Sequence, residues 1–80
     1  MEWLQQRWEK ITDKGVRFYE VHLQQDLWDG WVLTRVWGRR GSELGRVLDQ
    51  HCESYKDGIE KLDNVSKRRE QRGYVLLNRH

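Results

Sequence analysis

Apolar and polar residues alternate clearly over two neighbouring segments of the chain. In residues 17–24, Tyr19, Val21 and Leu23 fall on one side of an extended backbone. This period of two predicts a strand with one buried face. Residues 31–37 are rich in β-branched and aromatic side chains, which favours a second strand. An Asp-Gly pair at positions 29–30 favours a hairpin, so the two strands are expected to pair antiparallel.

Two further segments carry a weaker strand pattern. Residues 3–11 lack a clean period, although Leu4 and Trp8 would share one strand face, and a turn is expected at residues 12–15. Alternation resumes after a turn that is expected to contain the glycines at positions 38, 41 and 45. It predicts a strand with three inward-facing residues, which are Leu44, Leu48 and Cys52.

The pattern changes to a helical period after residue 53. Ser54, with Asp57 three residues later, is a weak form of the capping box and predicts where the helix begins. One apolar stripe then follows at helical spacing and consists of Tyr55, Ile59, Leu62 and Val65. Gly58 costs about 1 kcal/mol relative to Ala inside a helix, which indicates that a close helix–sheet contact requires it. Gly73 is the expected helix end, and a short strand or apolar flap is expected over residues 74–77.

The length of 80 residues predicts a single domain over residues 1–80. Hydrophobic residues make up 36% and charged residues 35%, yet five Trp, three Tyr and one Phe argue against a disordered chain. The apolar runs fall short of the roughly 20 residues of a membrane span, and no signal peptide is recognised, so a cytoplasmic location is expected. One cysteine excludes an internal disulfide. A net charge of +2 means that any attraction of a polyanion depends on local clusters.

The candidate ligand contacts start at Trp37-Gly38-Arg39, where a flat ring, a residue without a Cβ atom and a fixed cation are adjacent. This combination suits a sugar or base against the ring and a phosphate beside the guanidinium. Cations also form two clusters in the sequence. The first is Arg35, Arg39, Arg40 and Arg46, and the second is Lys67, Arg68, Arg69 and Arg72. The second cluster complements the helix dipole, so a solvated charged face is the alternative interpretation.

Catalytic and metal sites are not expected. His22, His51 and His80 lie on separate elements without the spacing of a metal site. The serines lack a nucleophile-elbow context, and Cys52 has no base near it in sequence. We therefore predict that the chain is not an enzyme and holds no cofactor.

These features together resemble the WGR domain, a small module of poly(ADP-ribose) polymerases and of bacterial proteins likened to a molybdate-metabolism regulator. Residues 37–45 match its W-G-R-x-G-x-x-x-G signature, and residues 17–21 resemble its first well-marked strand. Residues 72–75 resemble the basic-Gly-Tyr closure after its helix, so the match extends over about residues 8–76. The resemblance implies an α+β fold: a small twisted antiparallel sheet of about four to five strands with one long α-helix packed on it.

The resemblance also implies a function. In the polymerases the domain helps to recognise DNA ends. The resemblance implies that Trp37 contacts a terminal nucleotide and that Arg39 contacts a DNA end or a neighbouring domain. The expected function is a non-catalytic nucleic-acid-binding module, with DNA favoured over RNA and no role for a membrane. The predicted contact residues are Trp37, Gly38, Arg39, Arg40, Arg35, Lys67, Arg68, Arg69 and Arg72.

Alternatives to this interpretation stay open at the level of sequence. Trp37 could be a core or sheet-face aromatic like Trp31, since Trp usually buries most of its area. Arg39 could bind a main-chain carbonyl or an acid within the fold. The alternative function is a protein-interaction or regulatory adaptor that contacts another protein domain through Trp28 and Trp31.

Overall fold

One antiparallel sheet of five strands, with a single long helix on one face, forms the architecture of the described residues. The computed structural model describes residues 3–28, 30–43 and 45–79. The elements are β1 (Trp3–Thr12), β2 (Gly15–Gln25), β3 (Trp31–Arg39), β4 (Gly45–Cys52), α1 (Tyr55–Gln71) and β5 (Val75–Arg79). The strand order is β4-β3-β2-β1-β5, so the chain returns after α1 to pair with its first strand. The predicted α+β fold is confirmed.

The core lies between the sheet and α1. In the register of β2 and β3, Leu23 is opposite Leu33, and Tyr19 is opposite Trp37. These positions share the face that packs against the helix, as the alternation predicts. The fully buried side chains on this face are Trp8, Val21, Leu23, Leu33 and Cys52, and α1 adds Leu62 and Val65.

Gly58 sets how closely α1 approaches the sheet. A Cβ atom built at Gly58 would lie 2.5 Å from Cδ1 of Leu23, which is closer than two carbon atoms can approach. The predicted close contact between the helix and the sheet is therefore confirmed. Leu23 itself is fully buried, so its side chain has little room to move aside.

Both predicted helix ends are also confirmed. The hydroxyl oxygen of Ser54 accepts a hydrogen bond from the amide of Asp57 at 3.1 Å, which caps the first turn. At the other end Gly73 has φ = +85°, a left-handed conformation that favours glycine. The amide of Tyr74 then donates to the carbonyl of Arg69 at 2.9 Å, as in a Schellman motif. This closure fixes where Tyr74 lies relative to the last turns of α1.

Two details differ from the sequence-based expectations. Gly38 and Gly45 lie in strands, where they pair with each other, and of the three glycines Gly41 alone occupies the turn, with φ = +86°. Leu48 is 48% exposed rather than inward, because α1 leaves the first half of the edge strand β4 uncovered. Cys52, at the far end of β4, is buried as predicted. Predictions for Asp29, Leu44 and His80 concern positions outside the described residues.

Candidate nucleic-acid interface

The helix covers only one end of its sheet face and leaves the other end open. Leu23 and Leu33 are buried under α1, whereas Arg17 and Arg39, which pair with each other at the open end, are exposed. Tyr19 and Trp37 form the next pair on the same face of the sheet and border the core. The chain thus places aromatic rings between an apolar core and a charged rim.

A concave basin of about 860 Å³ occupies this open end. Its described lining has a single acid, Asp13, and three aromatic residues, Tyr19, Trp37 and Tyr74. We call this cavity the basic basin, because six cations line it. They are Lys10, Lys14, Arg17, Arg35, Arg69 and Arg72. A cavity with such a charge balance attracts anions, because its low-dielectric walls concentrate the field of the cations.

A second depression, of about 600 Å³, adjoins the basic basin on the side of the β3–β4 turn. We call it the signature cleft, because Trp37, Gly38 and Arg39 line it together with Arg46. Arg17, Trp37 and Tyr74 line both cavities. Trp37 therefore stands at the boundary of two adjoining cation-rich cavities.

Trp37 combines the two alternatives that the sequence left open. Its ring stacks on Tyr19 with centroids 5.6 Å apart and planes inclined by 13°, and it packs against the core. It is nevertheless only half-buried and borders both cavities. The stack on Tyr19 fixes the orientation of the indole, while its accessible part can meet a ligand. A base stacked on such a ring gains about 1–3 kcal/mol without regard to sequence.

Arg39 is exposed, and its guanidinium forms no ion pair with a described residue. The aliphatic part of its side chain passes close to Gly15, where a Cβ atom would lie 3.7 Å from Cδ of Arg39. The alternative interpretation, in which Arg39 binds an acid within the fold, is therefore not found among the described residues. The charge is available to a ligand.

Arg40 lies on the opposite face of the sheet. Its Nη1 atom is 3.2 Å from Oε1 of Glu9, and Glu9 also accepts hydrogen bonds from Arg7. Arg7 in turn pairs with Glu20, so acids neutralise the cations of this face. The structure does not bring Arg40 to the cavities, although the sequence placed it in the site beside Arg39.

The predicted cations of α1 divide in a similar way. Arg69 and Arg72 line the basic basin, whereas Lys67 is exposed and lies 4.0 Å from Asp63 on the helix surface. Arg68 lines a smaller pocket that also contains Arg69. Of the predicted site residues, those brought to the two cavities are Arg35, Trp37, Gly38, Arg39, Arg69 and Arg72.

Arg69 is held across the aromatic residues of the basin. The carbon at the centre of its guanidinium lies 4.2 Å from the ring centroid of Tyr19 and 5.2 Å from that of Tyr74. A cation over an aromatic face is stabilised by the ring quadrupole, by about 0.5–1 kcal/mol at exposed sites and more when desolvated. This contact fixes one positive charge of the basin between α1 and the sheet.

The sequence-based site omitted three cations that the fold brings to the basin: Lys10, Lys14 and Arg17. The Nζ atom of Lys10 donates to the carbonyl of Arg72 at 2.7 Å, which joins β1 to the end of the helix. Arg17 has the same parity as Tyr19 on β2, so the alternation already contained a signal for it.

Within the described residues, no group of three His, Cys, Asp or Glu side chains is arranged to hold a metal ion. Nowhere in the described ranges does a helix combine the length and the apolarity that a bilayer crossing requires.

The fold and this site define a small α+β module with a cation-rich, aromatic-lined ligand face. The WGR domain family model matches residues 4–79, so the chain belongs to the WGR domain family. Comparisons of the chain with curated proteins and with solved structures found no match. Membership of this family is consistent with a non-catalytic, nucleic-acid-binding module.

Proposed function

We propose that this WGR domain is a non-catalytic module that binds DNA ends or the DNA backbone through the basic basin and the signature cleft. The observation that carries the proposal is the convergence of cations on one face. Asp13 is the single acid in the described lining of the two cavities. Eight cations line them, and these are Lys10, Lys14, Arg17, Arg35, Arg39, Arg46, Arg69 and Arg72. Under this proposal the protein acts in the bacterial cytoplasm, where nucleic acid is accessible to it.

The roles of the residues follow from their chemistry. Arg17 and Arg39 form the exposed rim and bind phosphates, since a guanidinium fork matches phosphate oxygens. Trp37 receives the sugar or base at the end of a strand, where a nucleotide without a stacked neighbour leaves one ring face free. Stacking and phosphate contacts carry no sequence information, so binding is expected to be independent of sequence.

The direct test is a titration of the protein into a fluorescently labelled duplex with 5′-phosphorylated ends. Anisotropy of the label avoids interference from the five tryptophans. For contact with about four phosphates, log K falls with log salt at a slope near −0.9 per phosphate, or about −3.6 in total. Dissociation constants of about 10⁻⁴ to 10⁻⁶ M are expected at physiological salt. An absence of binding below millimolar protein at low salt would refute the proposal.

Matched variants distinguish the site from general attraction by a basic protein. Arg39→Gln and Arg40→Gln each remove one cation at adjacent positions, but Arg39 lines the signature cleft and Arg40 pairs with Glu9 on the other face. Arg39→Gln should weaken binding and reduce the salt slope by about 0.9. Arg40→Gln should leave the slope nearly unchanged. Equal losses in both variants would show that net charge, rather than this site, binds the DNA.

A second candidate function is a protein-interaction adaptor, favoured by the β2–β3 loop. Leu27 is 94% exposed and Trp28 is 87% exposed. Asp26 fixes the loop, because its Oδ1 atom accepts hydrogen bonds from the amides of Trp28 and Gly30, both at 2.8 Å. Large apolar side chains presented by a preformed loop are suited to a partner's pocket. Trp31 does not belong to this exposed surface, since its ring packs edge-on against that of Tyr55 with the ring centroids 4.9 Å apart.

The two functions can be tested separately because the loop joins the ends of β2 and β3 that lie farthest from Arg17 and Arg39. The double variant Leu27→Ser, Trp28→Ser should abolish capture of a protein partner while DNA anisotropy stays unchanged. Arg39→Gln should have the reverse effect. If the loop variant alone lost DNA binding, the assignment of the site to the open end of the sheet would be wrong.

A further inference from the structure

A small pocket of about 260 Å³ lies between α1 and β3, beside the basic basin. Its lining is Tyr19, Arg35, Asn64, Val65, Arg68 and Arg69. Three of these side chains are cationic and none is acidic. The pocket exceeds several-fold the roughly 30 Å³ that one water occupies in the liquid, so it can hold a polyatomic ion with some of its hydration.

Two of the arginines present buried donors without acceptors. The Nε atoms of Arg35 and Arg69 are shielded from solvent and have no hydrogen-bond partner among the described residues. Arg35 uses Nη2 to donate to Oε1 of Gln50 at 2.9 Å, and Arg69 lies over the ring of Tyr19. Buried donors of charged groups are normally satisfied, because leaving them unpaired costs free energy. Because these Nε atoms are shielded from solvent, an anion in the pocket would meet the outer Nη groups of the arginines. No described acid forms an ion pair with Arg35, Arg68 or Arg69, so three cations meet at one pocket without a counter-charge.

We propose that this pocket is a phosphate site, in which Arg35 binds a phosphate group from the sheet while Arg68 and Arg69 bind it from the helix. A phosphate offers several acceptor oxygens and carries about −1 as a strand phosphodiester or about −1.5 to −2 as a monoester, so it can accept hydrogen bonds from more than one guanidinium group. The amide of Asn64 supplies a further donor at the rim. Arg35 and Arg69 also line the basic basin, so the site deepens the proposed DNA contact and rests on it where the phosphate belongs to a strand, although neither Trp37 nor Arg39 lines this pocket.

The phosphate has two sources, which share anionic acceptor oxygens but differ in charge. It is either a free ion or phosphomonoester, or one phosphate of a strand that lies in the basic basin, which shares Tyr19, Arg35 and Arg69 with this pocket. Inorganic phosphate is the probe for the first source. A short phosphorylated oligonucleotide is the probe for the second.

The test is a titration of the whole protein with inorganic phosphate at constant ionic strength, with chloride as the exchanged ion. The readouts are the ¹⁵Nε and ¹Hε resonances of Arg35 and Arg69 together with the midpoint of thermal unfolding. Both should follow one saturable curve, because an ion that binds only the folded state raises its stability. Phosphate also stabilises proteins through its exclusion from their surface, an effect that does not saturate and that variants share.

Arg68→Gln and Arg39→Gln are matched variants, since both residues are exposed and each loses one charge. Arg68→Gln should weaken phosphate binding by about tenfold or more, while Arg39→Gln should leave it unchanged. Neither change removes a buried group, so both variants should fold. Equal weakening in both would overturn the proposal by showing a diffuse charge effect.

The oligonucleotide arm assigns the source. If the Arg35 and Arg69 resonances shift with the oligonucleotide but not with free phosphate, the site takes a strand phosphate and the proposal stands with that source. If neither probe shifts them, the proposal is overturned, even where labelled duplex binds through Trp37 and Arg39. If free phosphate binds and duplex does not, the phosphate site stands and the proposed DNA function fails.

Discussion

Replacement of Gly58 by Ala tests how the helix is held against the sheet. An isolated helix gains about 1 kcal/mol from this change, because Ala has the higher helix propensity. In this protein the new methyl group would lie 2.5 Å from Cδ1, 3.0 Å from Cδ2 and 3.3 Å from Cγ of Leu23. Overpacking of a core costs typically about 1–3 kcal/mol. We therefore expect a net loss of about 1 kcal/mol, opposite in sign to the propensity.

The assay is the free energy of unfolding in urea, measured in a double-mutant cycle with Leu23→Ala. Leu23→Ala removes all three atoms that the new methyl group would contact, at a cost of about 2–5 kcal/mol by itself. In that background Gly58→Ala should stabilise the protein by about 1 kcal/mol. The change of sign corresponds to a coupling energy of about 2 kcal/mol, which is within the range for residues in contact.

A control on the same helix measures the propensity term directly. Glu60 is exposed, so the difference between Glu60→Gly and Glu60→Ala reports the propensity of α1 without a packing contribution. The reasoning is refuted if Gly58→Ala stabilises the protein that retains Leu23 by as much as this control difference. The close contact would then have no energetic role in seating α1, which carries Arg69 over Tyr19.

Two further measurements test the core at Cys52 and the first turn of α1 at Asp57. Burial raises the pKa of the Cys52 thiol, so a thiol reagent at pH 8 should label it only as fast as the protein opens, and rapid labelling of the native state would contradict its buried position. The hydrogen bond with Lys61 lowers the pKa of Asp57 below its ordinary value of 3.8. The charged form of Asp57 therefore stabilises the fold above pH 3.8, and this stabilisation is lost as the pH falls through the lower pKa of the folded state. Urea unfolding of Asp57→Asn from pH 2 to 6 should accordingly show a smaller loss of stability in acid than the unchanged protein, and parallel curves would contradict the pairing.

Local patterns predict those parts of the fold that depend on neighbouring residues. The alternation in β2 places Tyr19 and Leu23 on the buried face because successive strand side chains point to opposite sides. Ser54 and Gly73 mark the helix ends through contacts that span only a few residues. Gly58 is informative for the same reason, since a glycine with a propensity cost inside an amphipathic helix implies a contact that excludes a side chain.

The site depends on relations that local patterns do not contain. Lys10 and Arg72 meet at the basin although 62 positions separate them, because the sheet order brings β1 beside the strand that follows the helix. Leu48 has the parity of an inward residue, but its exposure depends on how far α1 reaches across the sheet. The sequence puts Arg40 in one cation cluster with Arg39 because the two residues are adjacent. The strand continues through Arg39, so the next side chain projects to the opposite face.

The two faces of the sheet explain how a protein with a net charge of only +2 can present a strongly cationic surface. On the uncovered face, Arg7 and Arg40 are paired with Glu9 and Glu20, so their charges cancel locally. On the helix face the cations of the basic basin have Asp13 as the one described acid in their lining. Mutual repulsion among such cations opposes folding, and it is partly offset by contacts such as that of Arg69 with Tyr19 and that of Lys10 with the carbonyl of Arg72. A fold that places these acids on the opposite face from the basin keeps the field of the basin for an incoming anion.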